Sequence, residues 1–455
     1  MTLSPRAAPT MPKQPRVSVC IPVRNGEGQL QHTFRNLIAK TDYPADAFEV
    51  IVGNHGSTDG TAGILREWCG QFSGLKVVDV PWTSANRSLV RNRLIDASSG
   101  DVLVFIDHDI MVPPHFVGEH ARLHDAHPSA LVAGMTYGKG IFARPLGDFV
   151  AKLDLGDIGS AGPALASRPE MADSRMHPEM MQVSSGDTLV DLKAQFAPSR
   201  LCWTCNVSVK RKDLDECGRF DEWYDGWGVE DDDFAQQFLV KDKRLLFSRD
   251  AWAFHVPHAF DIRTSIVSWR KNFDYFYSKY ANRELEYLGV YTTQVTSANR
   301  QLMGMVHLLG MLDVTSTVQA LGARLPAPQG RRFAHFMMNS ANAAALSLSD
   351  AFDPTRPARE RSVDRSGVRV WPFFGLKTPF ASGTFAEAVI VVDVAMLLER
   401  HHLIVLLVET ARTAGKVYFG YGPATRDPKN ATAVAVFDEV ADKIRFGVRE
   451  VVALP

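Results

Sequence analysis

The sequence is poor in cysteine, in net charge and in long apolar runs, and each scarcity excludes a class of protein. Its 455 residues include five cysteines, and the pair Cys202-Trp-Thr-Cys205 has no second such pair to complete a structural zinc site. The formal net charge is −1, which predicts no basic surface for nucleic acid or anionic lipid. The most apolar window, 389–408, is interrupted by charged residues and is too broken to span a bilayer. We therefore expect a cytoplasmic protein with reduced thiols and no transmembrane segment.

The length and composition predict a globular chain of at least two domains. Apolar residues make up 45% of the chain and charged residues 22%, which excludes wholesale disorder. Residues 1–15 are rich in Pro, Ala and Thr and lack an apolar segment, so they predict a disordered lead-in and not a signal peptide. We expect a first domain over 16–285 and a C-terminal α/β accessory domain, of unknown role, over 296–455.

Strand and helix patterns alternate four times at the start of the chain. Short β-branched or apolar runs at 17–23, 48–52, 75–80 and 101–106 predict strands, and helical spacings separate them. This alternation predicts a mainly parallel central sheet covered by helices on both faces. Ligands of such sheets bind beyond the carboxyl ends of the strands.

The pattern weakens over 138–199, where small and polar residues dominate. Loops of this length are uncommon unless they are functional or disordered, so we expect a mobile insertion that covers an active site. Regular patterns resume after this segment and again in the C-terminal half of the chain.

Two acidic clusters lie about 120 residues apart. The first is Asp107-His108-Asp109, directly after a predicted strand, and the second is Glu230 to Asp233, directly after a Trp-Gly pair. Crowded carboxylates repel and raise one another's pKa, so a structural role alone explains them poorly. A divalent cation or a reaction that needs a base would explain both clusters.

Residues 17–110 resemble the nucleotide-binding half of the GT-A glycosyltransferases of family 2. The resemblance rests on Val-Ser-Val-Cys-Ile-Pro-Val-Arg-Asn at 17–25, Gly-Ser-Thr-Asp-Gly-Thr at 56–61 and Asp107-His-Asp109 in place of the Asp-x-Asp metal motif. It implies the GT-A fold and a nucleotide-sugar donor, with UDP as the expected nucleotide. The residues expected to bind this donor are Pro22, Arg24, Asn54, Asp59, Arg87, Arg91, Asp107 and Trp227.

Residues 200–258 resemble the catalytic half shared by β-1,4-galactosyltransferases and polypeptide N-acetylgalactosaminyltransferases. The Trp-Gly-x-Glu-Asp-Asp-Asp frame at 227–233 and a downstream His carry this resemblance. It implies that Asp231 is the catalytic base and that Glu230 binds acceptor hydroxyls. It also implies a Mn²⁺ or Mg²⁺ site with Asp109 and Asp107 as ligands, and with His255 or His258 as the imidazole ligand; the choice between these histidines stays open.

Two departures from the family patterns bear on specificity. Asn54 and His55 stand where the family often has acids that read uracil, so uridine is the expected nucleotide without being fixed by these residues. Asp231 stands where retaining N-acetylgalactosaminyltransferases tend to carry Asn, which favours inversion by direct displacement. The sequence thus predicts a metal-dependent hexosyltransferase that moves a sugar from a UDP-sugar to the hydroxyl of a glycan, small-molecule or protein acceptor.

Several alternatives stay open. The enzyme could retain configuration, or could use GDP- or dTDP-sugars. A non-catalytic sugar-nucleotide binder or scaffold is a different class of function. Under any of these functions, the C-terminal domain could form a homo-oligomer. Segments 389–393 and 412–419 faintly resemble the closing strands of a class I methyltransferase, but the glycine-rich cofactor loop of that family is missing.

Overall fold

A computed structural model gives the fold of the chain. It describes residues 16–138, 147–168, 171–173, 175, 188–257, 262–290, 315–335, 342, 345–353, 362–363, 367–371, 376–396, 398 and 400–453. The chain divides into two compact units, Met1–Asn272 and Phe273–Pro455. The sequence placed the end of the first domain at residue 285, and these domain limits stay a prediction. None of the helices in the described ranges is long and apolar enough to cross a membrane.

The first unit is built from nine strands and the helices between them. The strands are β1 (Val17–Val23), β2 (Phe48–Asn54), β3 (Leu75–Asp79), β4 (Val102–Ile106), β5 (Ile110–Met111), β6 (Ala130–Tyr137), β7 (Leu189–Asp191), β8 (Asn206–Lys210) and β9 (Arg244–His255). The α-helices are α1 (Leu30–Phe34), α2 (Thr61–Gln71), α3 (Arg87–Ala97), α4 (Phe116–Ala126), α5 (Gly147–Val150), α6 (Gly162–Ala166), α7 (Arg211–Cys217) and α8 (Glu230–Val240). A further helix, α9 (Ile262–Tyr280), runs across the division between the two units.

These strands form one sheet in the order β3-β2-β1-β4-β8-β6-β9-β5, with β7 on β9. The first four strands are parallel neighbours, while β8 is antiparallel to both β4 and β6. Strands β1, β2 and β4 are apolar and buried along nearly their whole length, as a parallel sheet covered on both faces requires. The predicted α/β fold is confirmed, and its sheet is mixed: the pairs β3–β2, β2–β1, β1–β4 and β6–β9 are parallel, whereas the pairs β4–β8, β8–β6, β9–β5 and β7–β9 are antiparallel.

Part of the expected insertion over 138–199 packs into the core of the first unit. Asp173 and Arg175 form a fully buried ion pair, and the guanidinium also donates hydrogen bonds to the carbonyls of Gly134 and Leu201. The Asp173 carboxylate accepts from the Thr136 N–H, so both charges are compensated. Residues 139–146, 169–170, 174 and 176–187 of the insertion lie outside the described residues, and its mobility stays a prediction.

The second unit contains the remaining elements. Its strands are β10 (Arg332–His335), β11 (Asp350–Phe352), β12 (Ser362–Val363), β13 (Arg369–Trp371), β14 (Phe385–Val391), β15 (Ala414–Tyr421) and β16 (Val448–Ala453). Its helices are α10 (Arg283–Val290), α11 (Thr315–Gly322), α12 (Val392–Ala395), α13 (Arg400–Thr413) and α14 (Ala431–Lys443). The predicted α/β character of this part of the chain is therefore confirmed.

The sheet of the second unit has the order β12-β13-β11-β10-β14-β15-β16. All pairs are parallel except the edge pair of β12 and β13. Its order runs outward in both directions from the β10–β14 pair, as in doubly wound nucleotide-binding sheets. A shared strand order does not by itself assign an activity, so the methyltransferase likeness stays untested.

Two buried histidines join helix α4 to the sheet of the first unit. His124 Nε2 lies 2.8 Å from the Ser208 hydroxyl, which lies 2.7 Å from His120 Nδ1. His120 Nε2 lies 3.1 Å from Asn206 Oδ1, and the Asn206 amide donates to the Ala251 carbonyl. Because the Asn206 amide nitrogen is thereby fixed as a donor, its oxygen accepts from His120, and neutral imidazoles satisfy the whole chain of hydrogen bonds.

These histidines predict a loss of stability in acid. Burial lowers the pKa of His120 to about 4 against a smaller opposing contribution from Asn206. Burial and then the neighbouring His120 lower the pKa of His124 to about 3. Between these values and the unfolded pKa of about 6.5, the unfolded chain binds protons that the folded chain does not. Stability is therefore complete above about pH 6.5 and falls as the pH drops towards 4, by about 1.4 kcal/mol per pH unit for each histidine.

The variant His124→Leu isolates one of these contributions. Its free energy of unfolding, measured by urea titration at several pH values between 4.5 and 7, should depend less steeply on pH than that of the wild type. The difference in slope should be about 1.4 kcal/mol per pH unit, because one proton fewer is taken up on unfolding. Equal slopes for the two proteins would show that His124 is not held neutral.

Candidate active site

The carboxyl ends of adjacent strands gather the expected donor-binding residues of the first unit at one edge of the sheet. Strand β1 pairs in parallel with both β2 and β4, so the residues that follow these strands are neighbours. Arg24 follows β1, Asn54 is the last residue of β2, and Asp107 follows β4 directly. Pro22 lies within β1 and is half-buried. The strand order thus brings together residues that are far apart in the sequence.

Asp109 and His255 meet at the same edge. Strand β5 pairs antiparallel with the end of β9, and Ile110 lies opposite His255. His255 Nε2 is 3.4 Å from Asp109 Oδ2, and the Asp109 side chain is 8% exposed. The other expected imidazole ligand, His258, lies outside the described residues.

A carboxylate is a suitable ligand for both Mn²⁺ and Mg²⁺, whereas an imidazole nitrogen suits Mn²⁺ better than Mg²⁺, which prefers oxygen ligands. Within the ranges that the structure describes, no group of three or more His, Cys, Asp or Glu side chains is placed to hold a metal. This donor set fits a cation that takes one or two protein ligands and completes its coordination with the phosphates of a substrate, as Mg²⁺ commonly does.

The Trp-Gly frame before the second acidic cluster has an unusual backbone. Gly226 and Gly228 have φ values of +83° and +87°, and a Cβ at Gly228 would lie 2.7 Å from the Trp269 ring. Val229, which precedes helix α8, has φ +78°, a conformation that a β-branched residue rarely adopts. Strain of this kind is maintained only where the surrounding structure requires it, and it concentrates at functional sites. Here it sets the direction in which the first turn of α8 leaves the frame.

A buried arginine bridges the two acidic clusters. Arg91 on helix α3 is 2% exposed, and its guanidinium lies 3.1 Å from Glu230 and 3.5 Å from Asp107. Removal from water lowers the pKa of Arg91, but the neighbouring carboxylates outweigh that effect and raise it, so the side chain stays charged. Arg91, which we expected to contact a diphosphate, has at least part of its hydrogen-bonding capacity directed to these two carboxylates.

The other acids in the first turn of α8 also have partners. Asp232 is 4% exposed and lies 2.6 Å from the Arg200 guanidinium. Burial raises the pKa of Asp232, and Arg200 opposes that rise. Asp233 accepts hydrogen bonds from the Tyr224 hydroxyl and the Gln237 amide. Each of these contacts holds a carboxylate inside the unit.

Asp231 differs from the other three acids of this turn because its side chain is partly exposed. One of its oxygens accepts a hydrogen bond from the Asp232 N–H at 3.0 Å, which fixes the carboxylate at the start of the helix. Of the four acids of this turn, Asp231 is therefore the one with a partly exposed side chain.

The remaining expected residues have identifiable contacts. Arg87 donates to the Gly226 carbonyl at 2.7 Å, which joins the start of α3 to the Trp-Gly frame. The Trp227 N–H donates to the Ser268 hydroxyl. Asp59 accepts from the N–H groups of Glu27 and Thr61 and from the Thr61 hydroxyl, so it fixes the turn before α2. Although burial raises the pKa of Asp59, these hydrogen bonds lower it overall.

Sequence reasoning missed Arg200 and Trp82. Nothing in the pattern around Arg200 indicates that its side chain pairs with Asp232. Trp82 follows the third strand, and the rule that ligand-binding residues follow parallel strands could have identified it.

Two family models match the first unit. Residues 18–150 match the model described as glycosyl transferase family 2, and residues 192–251 match the model described as the N-terminal domain of galactosyltransferase. The first match contains Asp107 and Asp109, and the second contains Trp227 and the four acids at 230–233. Both resemblances inferred from the motifs are thereby confirmed.

The curated relatives are glycosyltransferases as well. The chain is 26% identical over 396 residues to validoxylamine A glucosyltransferase of Streptomyces hygroscopicus subsp. limoneus, which covers 83% of this chain and 84% of that protein. It is 35% identical over 95 residues to glycosyltransferase AglE of Haloferax volcanii, covering 21% of this chain and 31% of that protein. Together with the family models, these relatives identify the first unit as a glycosyltransferase domain. The enzyme is a glycosyltransferase whose first unit is similar to family 2 over residues 18–150 and to a galactosyltransferase domain over residues 192–251.

Solved structures show a more distant likeness. Residues 1–349 of TarS from Staphylococcus aureus in complex with UDP-GlcNAc give a TM-score of 0.45 at 18% identity, covering 68% of this chain and 80% of that one. The mannosyltransferase PcManGT from Pyrobaculum calidifontis gives 0.38 at 17% identity, covering 70% and 83%.

The bridge between the acidic clusters predicts a large effect of Arg91→Met. The substitution leaves Glu230 and Asp107 without their buried counter-charge, which should cost about 3–5 kcal/mol of folding free energy. Urea unfolding measures this loss. Arg93→Met is the matched control on the same helix, because that side chain is 59% exposed and its ion pair with Asp96 spans 3.9 Å. We expect the control to change stability by less than about 0.5 kcal/mol.

The double variant Arg91→Met, Glu230→Gln separates charge from packing. Glu230→Gln removes the carboxylate charge that Arg91→Met leaves without a counter-charge, so it should restore part of the stability that Arg91→Met loses. Equal stability of the single and double variants would contradict a bridge that acts through charge.

Proposed function

We propose that the first unit transfers a hexosyl group from a nucleotide-sugar, with UDP as the expected nucleotide, to an acceptor hydroxyl with inversion of configuration. The observation that carries this proposal is that Arg91 contacts a member of each acidic cluster, Asp107 of the first and Glu230 of the second. Asp109, two residues after Asp107, is 3.4 Å from His255. The validoxylamine A relative is named as a glucosyltransferase, which supports hexosyl transfer.

In this proposal the residues of the sheet edge hold the donor. Asp109 and His255 would hold a divalent cation, which supplies positive charge to a diphosphate leaving group. Arg24 and Arg87, both exposed at this edge, would contact the nucleotide. Arg87 is the one expected at the diphosphate, because a guanidinium fork suits phosphate oxygens. Trp227 would contact the sugar. Arg91 keeps Asp107 and Glu230 in fixed positions beside them.

Asp231 acts on the acceptor. Its partly exposed carboxylate takes the proton of the acceptor hydroxyl as the oxygen attacks the anomeric carbon from the face opposite the leaving diphosphate. A single displacement of this kind inverts the configuration at that carbon. The buried Glu230, which accepts a hydrogen bond from Arg91 and adjoins Asp231 in the sequence, would bind a neighbouring acceptor hydroxyl. A cytoplasmic location and self-association through the C-terminal domain stay predictions.

The donor site can be tested without knowing the acceptor. We expect UDP to bind to the wild type in calorimetric titrations with Mn²⁺ and to bind much more weakly without it. Asp109→Ala should remove most of the Mn²⁺-dependent affinity. Asp101→Ala is the control, because Asp101 is exposed at the opposite end of the same strand β4. Equal Mn²⁺ dependence in wild type and Asp109→Ala would reject the assignment of Asp109.

The catalytic role of Asp231 has a separate signature. Asp231→Asn preserves the size and polarity of the side chain but removes its basicity, so kcat for sugar transfer should fall by about 10²–10⁴. UDP binding with Mn²⁺ should stay within about twofold, as measured by calorimetry.

Asp215→Asn is the matched control for this substitution, because Asp215 is exposed on α7 away from both acidic clusters. It should change neither kcat nor UDP binding. An Asp231→Asn enzyme with wild-type kcat would rule out Asp231 as the base.

A further inference from the structure

Three side chains that follow adjacent parallel strands form a compact cluster beside the proposed donor site. Arg24 follows β1, His55 follows β2, and Trp82 follows β3 after two intervening residues. These strands are hydrogen-bonded neighbours in the order β3-β2-β1, so the cluster lies at the carboxyl edge of the sheet. We call Arg24, His55 and Trp82 the Trp82 cluster.

The members of the Trp82 cluster are in close contact. The Arg24 guanidinium carbon is 3.6 Å from the centroid of the Trp82 ring, a cation–π distance. The His55 and Trp82 ring centroids are 4.8 Å apart, with the rings tilted by 51°. His55 is 5% exposed, whereas Trp82 is 43% exposed. A buried imidazole thus supports an indole that keeps nearly half of its surface open to solvent.

The glycine of the Gly-Ser-Thr-Asp-Gly-Thr turn permits this arrangement. Gly56 has φ +60°, and a Cβ at this position would lie 2.6 Å from Trp82 Cβ. A side chain here would push Trp82 away from His55. The turn that begins the family 2 motif is therefore shaped to let Trp82 approach the sheet edge.

Within the Trp82 cluster, the positive charge lies on Arg24 and not on His55. Burial, and then the positive charges of Arg24 and Arg87, lower the pKa of His55, so the imidazole is neutral at neutral pH. Arg24 is exposed and carries the positive charge. An indole face beside a guanidinium suits a planar aromatic ligand that is attached to an anion.

A polar pair lies at the ends of the two strands next to this cluster. The Asn54 amide nitrogen donates to Asp79 Oδ1 at 2.9 Å, and the Asn54 oxygen accepts from the Ser57 N–H at 3.3 Å. These two hydrogen bonds fix the orientation of the Asn54 amide, with its nitrogen towards Asp79. Asp79 is exposed and its carboxylate only accepts hydrogen bonds, so it is the better group to meet a ligand N–H.

The position of the cluster relative to the acids identifies the part of the donor that it meets. The sheet order β3-β2-β1-β4 places Trp82 and Asp79 on the side away from the strand that leads to Asp107 and Asp109. Two to three strand spacings of about 4.8 Å separate the end of β4 from the ends of β2 and β3. A nucleoside diphosphate whose phosphates lie at the acids extends over such a distance, with its base at the far end.

We propose that Trp82, supported by His55 and Arg24, is the surface on which the nucleobase of the donor stacks, and that Asp79 accepts a hydrogen bond from an N–H of that base. This inference rests on the proposed function. It names residues that determine nucleotide specificity. It also assigns the hydrogen bond to the base to Asp79, whereas the sequence had indicated Asn54. A base with an N–H in its ring, as in uracil, matches an acceptor-only carboxylate.

A comparison of two probes isolates the base from the phosphates. UDP carries a base and a diphosphate, and inorganic pyrophosphate carries only the latter. In calorimetric titrations with Mn²⁺, Trp82→Ala should weaken UDP binding by between about fivefold and 150-fold, the range for loss of one base–aromatic stack. Pyrophosphate binding should change by less than about twofold. Trp82→Phe keeps an aromatic face and should recover most of the UDP affinity.

Trp223→Ala is the matched control. Trp223 is also 43% exposed, and Lys271 Nζ is 5.1 Å from its ring centroid, so it also lies near a cation. Unlike Trp82, it lies just before the Trp-Gly frame and does not follow one of the parallel strands. We expect its UDP affinity to stay within about twofold of the wild type. Asp79→Asn should weaken UDP binding and leave pyrophosphate binding unchanged.

The outcomes separate this inference from the proposed function. Suppose that the wild type binds both UDP and pyrophosphate. If Trp82→Ala then weakens the binding of both probes equally, or changes the binding of neither, the stacking surface is rejected while the donor site stands. If the wild type binds neither probe with Mn²⁺, the proposed function fails. Selective loss of UDP binding in Trp82→Ala, with a circular dichroism spectrum and urea midpoint close to those of the wild type, supports the stacking surface.

Discussion

The buried Arg91 guanidinium is the interaction on which the geometry of the site depends. Glu230 and Asp107 come from segments more than 120 residues apart, and neither carboxylate could be held near the other without a counter-charge. A charged arginine in this position is itself stable only because both acids face it. The two acidic clusters, which fall within separate family models, are joined into one site by this side chain.

The rest of the first unit supports this bridge. The parallel order of β3, β2, β1 and β4 presents the residues after each strand at one edge, and the strained turn at 226–229 directs α8 towards that edge. Within α8, pairing of Asp232 with Arg200 leaves Asp231 as the partly exposed acid. Backbone strain, charge pairing and strand order therefore act together, and the proposed role of Asp231 depends on all three.

More of the fold than of the side-chain contacts in the site could be predicted from the sequence. Four alternations of strand and helix define a parallel sheet, and the residues after its strands define the functional edge, because both follow from local periodicity. The partner of Arg91 could not be predicted in this way, since a surface-seeking and a buried arginine have the same local pattern and only the tertiary fold brings Glu230 to it. Trp82 was missed because it lies three residues beyond its strand, where the closeness to His55 depends on the turn at Gly56.

The most direct measurement is the anomalous scattering of Mn²⁺ in crystals of the full chain grown with UDP. The account predicts a single strong peak in the first unit, within coordination distance of Asp109 and His255 and of the UDP phosphates, with uracil against Trp82. A peak bound by UDP at any other edge of the sheet, or bound UDP whose phosphates lie away from Asp109, would contradict the claim that the two acidic clusters form one donor and acceptor site.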